Sequence, residues 1–261
     1  MKRSWRIGLG IATLLAAIVV LVILGRRSDE ERLQTACTGI DVAVLDSASL
    51  SFVSQEDVIQ AIQRDYGTFM GQRIDSVNLR KIEVALRGRS AIREAEAYVT
   101  GDGILHVEIL QREPSVRFLK GTEGFYADES GFIFPLHPGY TSDAPLVEGD
   151  IPLSADGHFR GYLDNPAEKR WLGGVVALVA YVRDHKEWNG WLKEIKVEKG
   201  GTITVIPSKG KERIIFGQPD ALKEKFARLE EYYRIIAPSK EEGWYRTVDV
   251  RYQGQIICKR K

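Results

Sequence analysis

Tyr98 to Phe118, YVTGDGILHVEILQREPSVRF, decides how this chain is built. The short β-run Tyr98-Val99-Thr100 meets Gly101-Asp102-Gly103, and the chain returns through Ile104 to Leu110 with Leu105, Val107 and Ile109 on one face. Apolar residues at every second position around a Gly/Asp turn predict a hairpin with one buried face. Gln111-Arg112-Glu113-Pro114 follows, and proline stops helix and central strand alike because it has no N–H for a ladder. One domain closes at this hairpin, and another opens after Pro114.

Upstream, Gly39 to Asp46 alternates as a strand, with Val42 and Val44 sharing a face. Ser54-Gln55-Glu56-Asp57 sets a hydroxyl three residues ahead of an acid, a capping-box pattern, and Val58, Ile59, Ile62 and Tyr66 continue at helical spacing up to Gly67. Ile74 to Asn78 leads to a second helix with Leu79, Ile82 and Leu86 on one side. The order β-α-α-β-β over residues 39–114 predicts a small α+β domain, its helices packed on one sheet face.

Downstream, residues 115–261 read as a β-rich domain with packed helices. VRFLKGTEGFYADESGFIFP gives two short apolar runs hinged on Asp128-Glu129-Ser130-Gly131, and an irregular section begins at Pro145. Asn165-Pro166 starts a helix carrying Trp171, Leu172, Val175, Leu178, Val179 and Val182. Trp188–Val197, Gly201–Ile206 and Arg213–Phe216 read as strands, and Asp220 is expected to cap a further helix. Thr247 to Cys258, TVDVRYQGQIIC, is expected to be one last strand with a bulge at Gly254, leaving Lys259-Arg260-Lys261 as a solvated tail.

The amino terminus sets where these domains work. Ile7 to Leu24 is free of charge and long enough, at about 1.5 Å per residue, to cross the hydrocarbon of a bilayer as a helix. Trp5 stands at an interfacial position, and basic residues flank both ends. A cleaved signal would have a shorter core and a small-x-small site, but Arg26 and Arg27 follow Gly25 at once. For a lipoprotein signal, Cys37 lies too far downstream. The expectation is a tail at 1–6, a transmembrane helix at 7–24 and a juxtamembrane linker at 25–38. Lys2, Arg3 and Arg6 balance Arg26, Arg27 and Arg32, so charge does not set the orientation.

A formal charge of +1 leaves no basic field for nucleic acid. Cys37 and Cys258 allow one disulfide in an oxidising compartment or two reduced apolar positions, and the sequence does not choose. His106, His137, His158 and His185 show no metal-ligand spacing, and no nucleophile elbow or phosphate loop is present. Asp128-Glu129 reads as a hairpin turn rather than a calcium loop. No catalytic residue, metal or cofactor is expected.

The order of these pieces resembles the FtsQ/DivIB family of bacterial cell-division proteins. The matching segments are FVSQEDV (Phe52–Val58), IDSVNL (Ile74–Leu79), SAIREAE (Ser90–Glu96), VEILQREPSVRF (Val107–Phe118), FYADESGFIF (Phe125–Phe134), PLVEG (Pro145–Gly149) and VDVRY (Val248–Tyr252). The resemblance implies a POTRA domain followed by a β domain, the latter a curved sheet extending the POTRA sheet. It implies a single pass through the inner (cytoplasmic) membrane, the N-terminus in the cytoplasm and the domains in the periplasm, at the division septum. It further implies a scaffold binding small FtsB/FtsL-type coiled-coil membrane proteins and other divisome proteins, including the septal synthase complex, and so helping to regulate septal peptidoglycan synthesis. The last strand at a sheet edge is the expected docking element, through Val250, Tyr252, Gln253, Gly254, Gln255, Ile256 and Ile257. Two other classes remain open: a POTRA-type chaperone for outer-membrane protein assembly, and a periplasmic peptidoglycan-acting enzyme built on a carboxylate pair such as Asp128 and Glu129.

Overall fold

The computed structural model of this protein describes residues 35–260. The apolar stretch Ile7–Leu24 and most of the expected linker lie outside the described residues. Among the described residues no helix is long and apolar enough to cross a membrane. The chain divides into two units between Gln111 and Arg112.

The first unit runs β1 (Gly39–Val44), α1 (Gln55–Asp65), α2 (Leu79–Arg87), β2 (Ile92–Val99) and β3 (Ile104–Gln111), with a single 3₁₀ turn before α2. The sheet order is β1-β3-β2; β1 runs parallel to β3, and β2 and β3 form the antiparallel hairpin. Ser54 and Asp57 build the capping box: the Ser54 hydroxyl accepts from the Asp57 N–H, and the Asp57 carboxylate accepts from the Ser54 N–H. Val58, Ile62, Ile82 and Leu86 then bury their stripe against Leu105, Val107 and Ile109. Gln111 ends β3 fully buried. It accepts from the Val53 N–H at 2.8 Å and donates to Asp46 at 2.9 Å and to the Leu50 carbonyl at 3.0 Å. The loop ahead of α1 is fastened to β3 in this way.

The second unit holds β4 (Val116–Lys120), β5 (Glu123–Ala127), β6 (Ile133–Pro135), β7 (Leu146–Gly149), α3 (Pro166–Asp184), β8 (Leu192–Glu198), β9 (Thr202–Pro207), β10 (Arg213–Gly217), α4 (Leu222–Glu231), β11 (Tyr245–Asp249) and β12 (Ile257–Arg260). Its nine strands lie in the order β12-β11-β10-β9-β8-β7-β4-β5-β6. Trp171, Leu172, Val175 and Leu178 of α3 and Phe226 and Leu229 of α4 join Phe118, Val147, Ile195, Val205, Ile214, Phe216 and Val248 in one apolar cluster. Gly149 closes the PLVEG segment at φ 110°, where an added Cβ would stand 2.2 Å from the Val197 carbonyl oxygen. No other residue fits there.

Within each unit the strands form one sheet, of three strands in the first and nine in the second. Several expectations are corrected. The segment expected to give two runs gives three strands, because Gly121 at φ 65° allows a tight hairpin between Lys120 and Glu123. Asp220 does not cap α4, whose first-turn flank is Ala221 at φ 45°; its carboxylate accepts instead from the buried Lys225 ammonium at 2.7 Å. The last expected strand is two strands, β11 and β12, paired antiparallel across a turn.

The REP and DESG segments share one cause. Arg112 donates to Asp128 and lays its guanidinium 3.8 Å from the Phe132 ring centre, while the other Asp128 oxygen accepts from the Ser130 N–H, the Ser130 hydroxyl and the Phe132 N–H. Removing one partner of such a buried, hydrogen-bonded pair strands the other charge. Asp128→Ala is therefore expected to destabilise the second unit by about 3 kcal/mol in urea unfolding. Glu129→Ala, which breaks only an exposed pair with Arg183, should change it by less than about 0.5 kcal/mol. Equal effects would refute this division of roles.

Candidate functional site

Strand backbones must place their N–H and C=O groups somewhere, and an edge strand has half of them left over. In the first unit the outer edge of β2 is filled by side chains of α2. Arg87 donates to the Ala95 carbonyl at 2.9 Å, and Glu83 accepts from the Ala97 N–H at 3.2 Å, so this pair stands in for a neighbouring strand. On β1, Leu45 donates to Ile109 of β3, which by alternation turns Ile40, Val42 and Val44 outward; the Val44 carbonyl accepts from Ser47. In the second unit the edge at β6 is closed by the segment through Gly161, which exchanges two hydrogen bonds with Ile133 at 2.8 and 3.0 Å, and by Pro135, which has no N–H. The opposite edge is β12. Its one sheet neighbour is β11.

Register fixes which β12 groups are left over. Val250, just past β11, donates to the Ile215 carbonyl of β10 at 3.1 Å. Successive residues send their backbone groups to opposite sides, so Thr247 and Asp249 face β12. Their register partners are Lys259 and Ile257, which therefore turn inward. Cys258, between them, turns its N–H and C=O outward.

The turn into this strand is held by one ion pair. Asp249 is buried, and its carboxylate accepts from the Arg251 N–H at 3.0 Å and from the forked Arg251 guanidinium at 3.0 and 2.7 Å. Gly254, at φ 68°, then completes the reversal, with Gln255 donating to the Tyr252 carbonyl. An ordinary residue at φ near 70° is strained, which is why a turn falls at Gln253-Gly254.

The expected docking residues divide accordingly. Val250 is fully buried and its carbonyl accepts from Arg228 at 3.0 Å. Ile256 is half-buried against the core. Tyr252, Gln253, Gly254 and Gln255 form the exposed turn, and Ile257 opens β12 with its side chain 37% exposed. The sequence reading missed Cys258, Lys259 and Arg260, taken as strand end and tail, which are the edge itself. The signal was present: Gln253-Gly254 between two apolar runs is a hairpin pattern as much as a bulge.

Groups with catalytic potential are committed elsewhere. Asp128 and Glu129 engage different arginines, Arg112 and Arg183. His106 stacks on Tyr98 with its ring nitrogens toward Asp41 and Thr100, and the Thr100 hydroxyl is itself 2.5 Å from Asp102. Among the described residues no group of three His, Cys, Asp or Glu side chains is placed to hold a metal ion. Cys37 and Cys258 are free thiols; burial pushes the Cys258 thiol up.

A β-α-α-β-β unit followed by a large mixed sheet with one edge closed and one open defines a POTRA-type protein with an appended β domain. Residues 35–110 match the POTRA-like domain, and residues 113–259, more than half of the chain, match the family described as FtsQ/DivIB, C-terminal related. The chain belongs to that family, a division-associated scaffold family whose domains are typically non-enzymatic. No curated protein matches it.

The Asp249–Arg251 fork carries a pH dependence. Burial opposes the Asp249 charge, but the Arg251 hydrogen bonds outweigh it and hold the carboxyl below its ordinary value. A folded-state value below the unfolded one contributes stability that is complete above the ordinary carboxylate range and is lost as pH falls through it. The wild-type β11–β12 hairpin should thus loosen below about pH 4, seen as faster amide exchange at Ile257 and Lys259. Asp249→Asn should remove that acid dependence and exchange faster already at neutral pH. An unchanged acid limb in Asp249→Asn would rule out the fork as its source.

Proposed function

We propose that this chain is a non-enzymatic scaffold of the bacterial division machinery that docks a small coiled-coil membrane protein of the FtsB/FtsL type by strand addition at β12. The observation that carries the reading is the asymmetry of the nine-stranded sheet. Its β6 edge is closed by Gly161 and Pro135, while Cys258 on β12 turns an N–H and a C=O to the outside. Backbone pairing supplies affinity in such a contact, and side chains beside it supply specificity. Exposed Ile257 and Tyr252 flank the edge and offer apolar contact.

In this reading Ile7–Leu24 anchors the chain in the cytoplasmic membrane, with the N-terminus inside and both units outside, at the septum. The first unit is a second contact, through the outward backbone of Ile40 and Val42. Partner capture there is how the chain would bear on the septal synthase complex and peptidoglycan synthesis. An enzyme built on Asp128 and Glu129 finds no support in two carboxylates held by separate arginines. A chaperone passing chains to an outer-membrane barrel would have only the β1 edge of this POTRA unit to use, since its β2 edge is filled by Glu83 and Arg87.

The test uses the full chain and a purified FtsB/FtsL-type partner. Cys258→Pro removes the outward donor, and Cys258→Ala controls for loss of the thiol. The expected result is at least tenfold weaker binding for the proline variant, with the alanine variant within about twofold of wild type. Circular dichroism and unfolding of both variants establish that the fold persists. Equal binding by a folded proline variant would move the interface away from β12.

A further inference from the structure

The open edge is not neutral. Along β12 the exposed Ile257 is followed by Cys258, which packs against the core, and then by the exposed Lys259 and Arg260. Neither Lys259 nor Arg260 makes an ion pair among the described residues. The charge of Lys259 helps to hold the Asp249 carboxyl low, but the ion pair and hydrogen bonds of that carboxylate go to Arg251. Arg260 lies 5.1 Å from the Trp244 ring centre, and Lys240 lies 5.9 Å from the same ring. The strand thus has an apolar first half and a cationic second half, with a third cation beside its end.

We infer that the strand received by β12 is acidic over half its length: two apolar residues beside Ile257 and Cys258, and two carboxylates beside Lys259 and Arg260. This rests on the docking reading above and names the partner's chemistry at that edge. Side chains directly opposite across paired strands approach to about 5 Å, so unlike charges there attract and like charges repel. Lysine on a free edge also discourages pairing between copies: two β12 edges laid parallel set Lys259 and Arg260 against their own copies, and laid antiparallel they set each cation against an apolar residue. A partner carrying carboxylates removes that penalty. A second copy does not.

The order of the four positions also reports direction. A parallel partner reads apolar-apolar-acidic-acidic from its N-terminus, and an antiparallel one reads acidic-acidic-apolar-apolar.

The test measures binding of blocked, fluorescently labelled octapeptides to the full chain in detergent micelles. Threonine flanks surround Val-Val-Glu-Glu, Glu-Glu-Val-Val or Val-Val-Lys-Lys. One of the two acidic peptides is expected to bind about tenfold more tightly than the lysine peptide at low salt, with the preference shrinking as salt rises. Lys259→Glu combined with Arg260→Glu is expected to reverse the preference, with circular dichroism showing that the fold is retained. Should Cys258→Pro abolish binding while the charge reversal leaves the preference unaltered, the acidic partner is refuted and the edge reading stands. Should Cys258→Pro bind like wild type, the edge reading itself is refuted. Absence of binding by either acidic peptide up to millimolar concentration also overturns the inference.

Discussion

The backbone hydrogen-bonding groups of edge strands are the constraint on which this structure depends. Each sheet has two edges, and the chain closes one edge of each sheet by a different device. A side-chain pair, Glu83 and Arg87, imitates a neighbouring strand along β2. Reciprocal bonds with Gly161 and the missing donor of Pro135 close β6. At β12 the devices stop, and what remains is a short strand whose side chains are half apolar and half cationic. Lysine and arginine there blunt non-specific pairing without removing the capacity to pair.

That edge exists because the chain turns at Arg251. Had Val250 to Ile256 continued as a strand, β11 would run on alone and its last residues would be the edge. The Asp249–Arg251 fork and Gly254 fold it back, placing Ile257 beside Asp249 and Lys259 beside Thr247. The cost of burying Asp249 is offset by four hydrogen bonds from one residue. An open sheet edge is thereby built from three local choices: an acid, an arginine two residues on, and a glycine three further.

Much of this was legible in the amino-acid sequence. The Ser54–Asp57 capping box, the Asn165-Pro166 helix start and the hairpin around Gly101-Asp102-Gly103 are local signals, and they stand where the sequence puts them. The two-domain division and the family were carried by ordered segments, several of which now have physical causes: Gln111 fastens a loop, Arg112 and Asp128 hold a turn, and Gly149 fits beneath Val197. Two of the errors share one origin. Gly121 and Gly254 both turn the chain, and a glycine inside an alternating pattern cannot be assigned to turn or bulge without knowing which strands it joins. The last strand, and with it the open edge, was misplaced by a few residues for that reason. Lys259 and Arg260, at the end of the chain and charged, looked like solvent-facing tail because pairing with β11 is a tertiary fact.

The central claim is that β12 presents its outward hydrogen-bonding groups at Cys258, and amide exchange measured by NMR on the isotopically labelled full chain tests it most directly. The account predicts slow exchange at Ile257 and Lys259, whose amides face β11, and fast exchange at Cys258 between them. Addition of a partner strand should slow Cys258 alone among the three. Fast exchange at Ile257 and Lys259 with protection at Cys258 would invert the register and contradict the account.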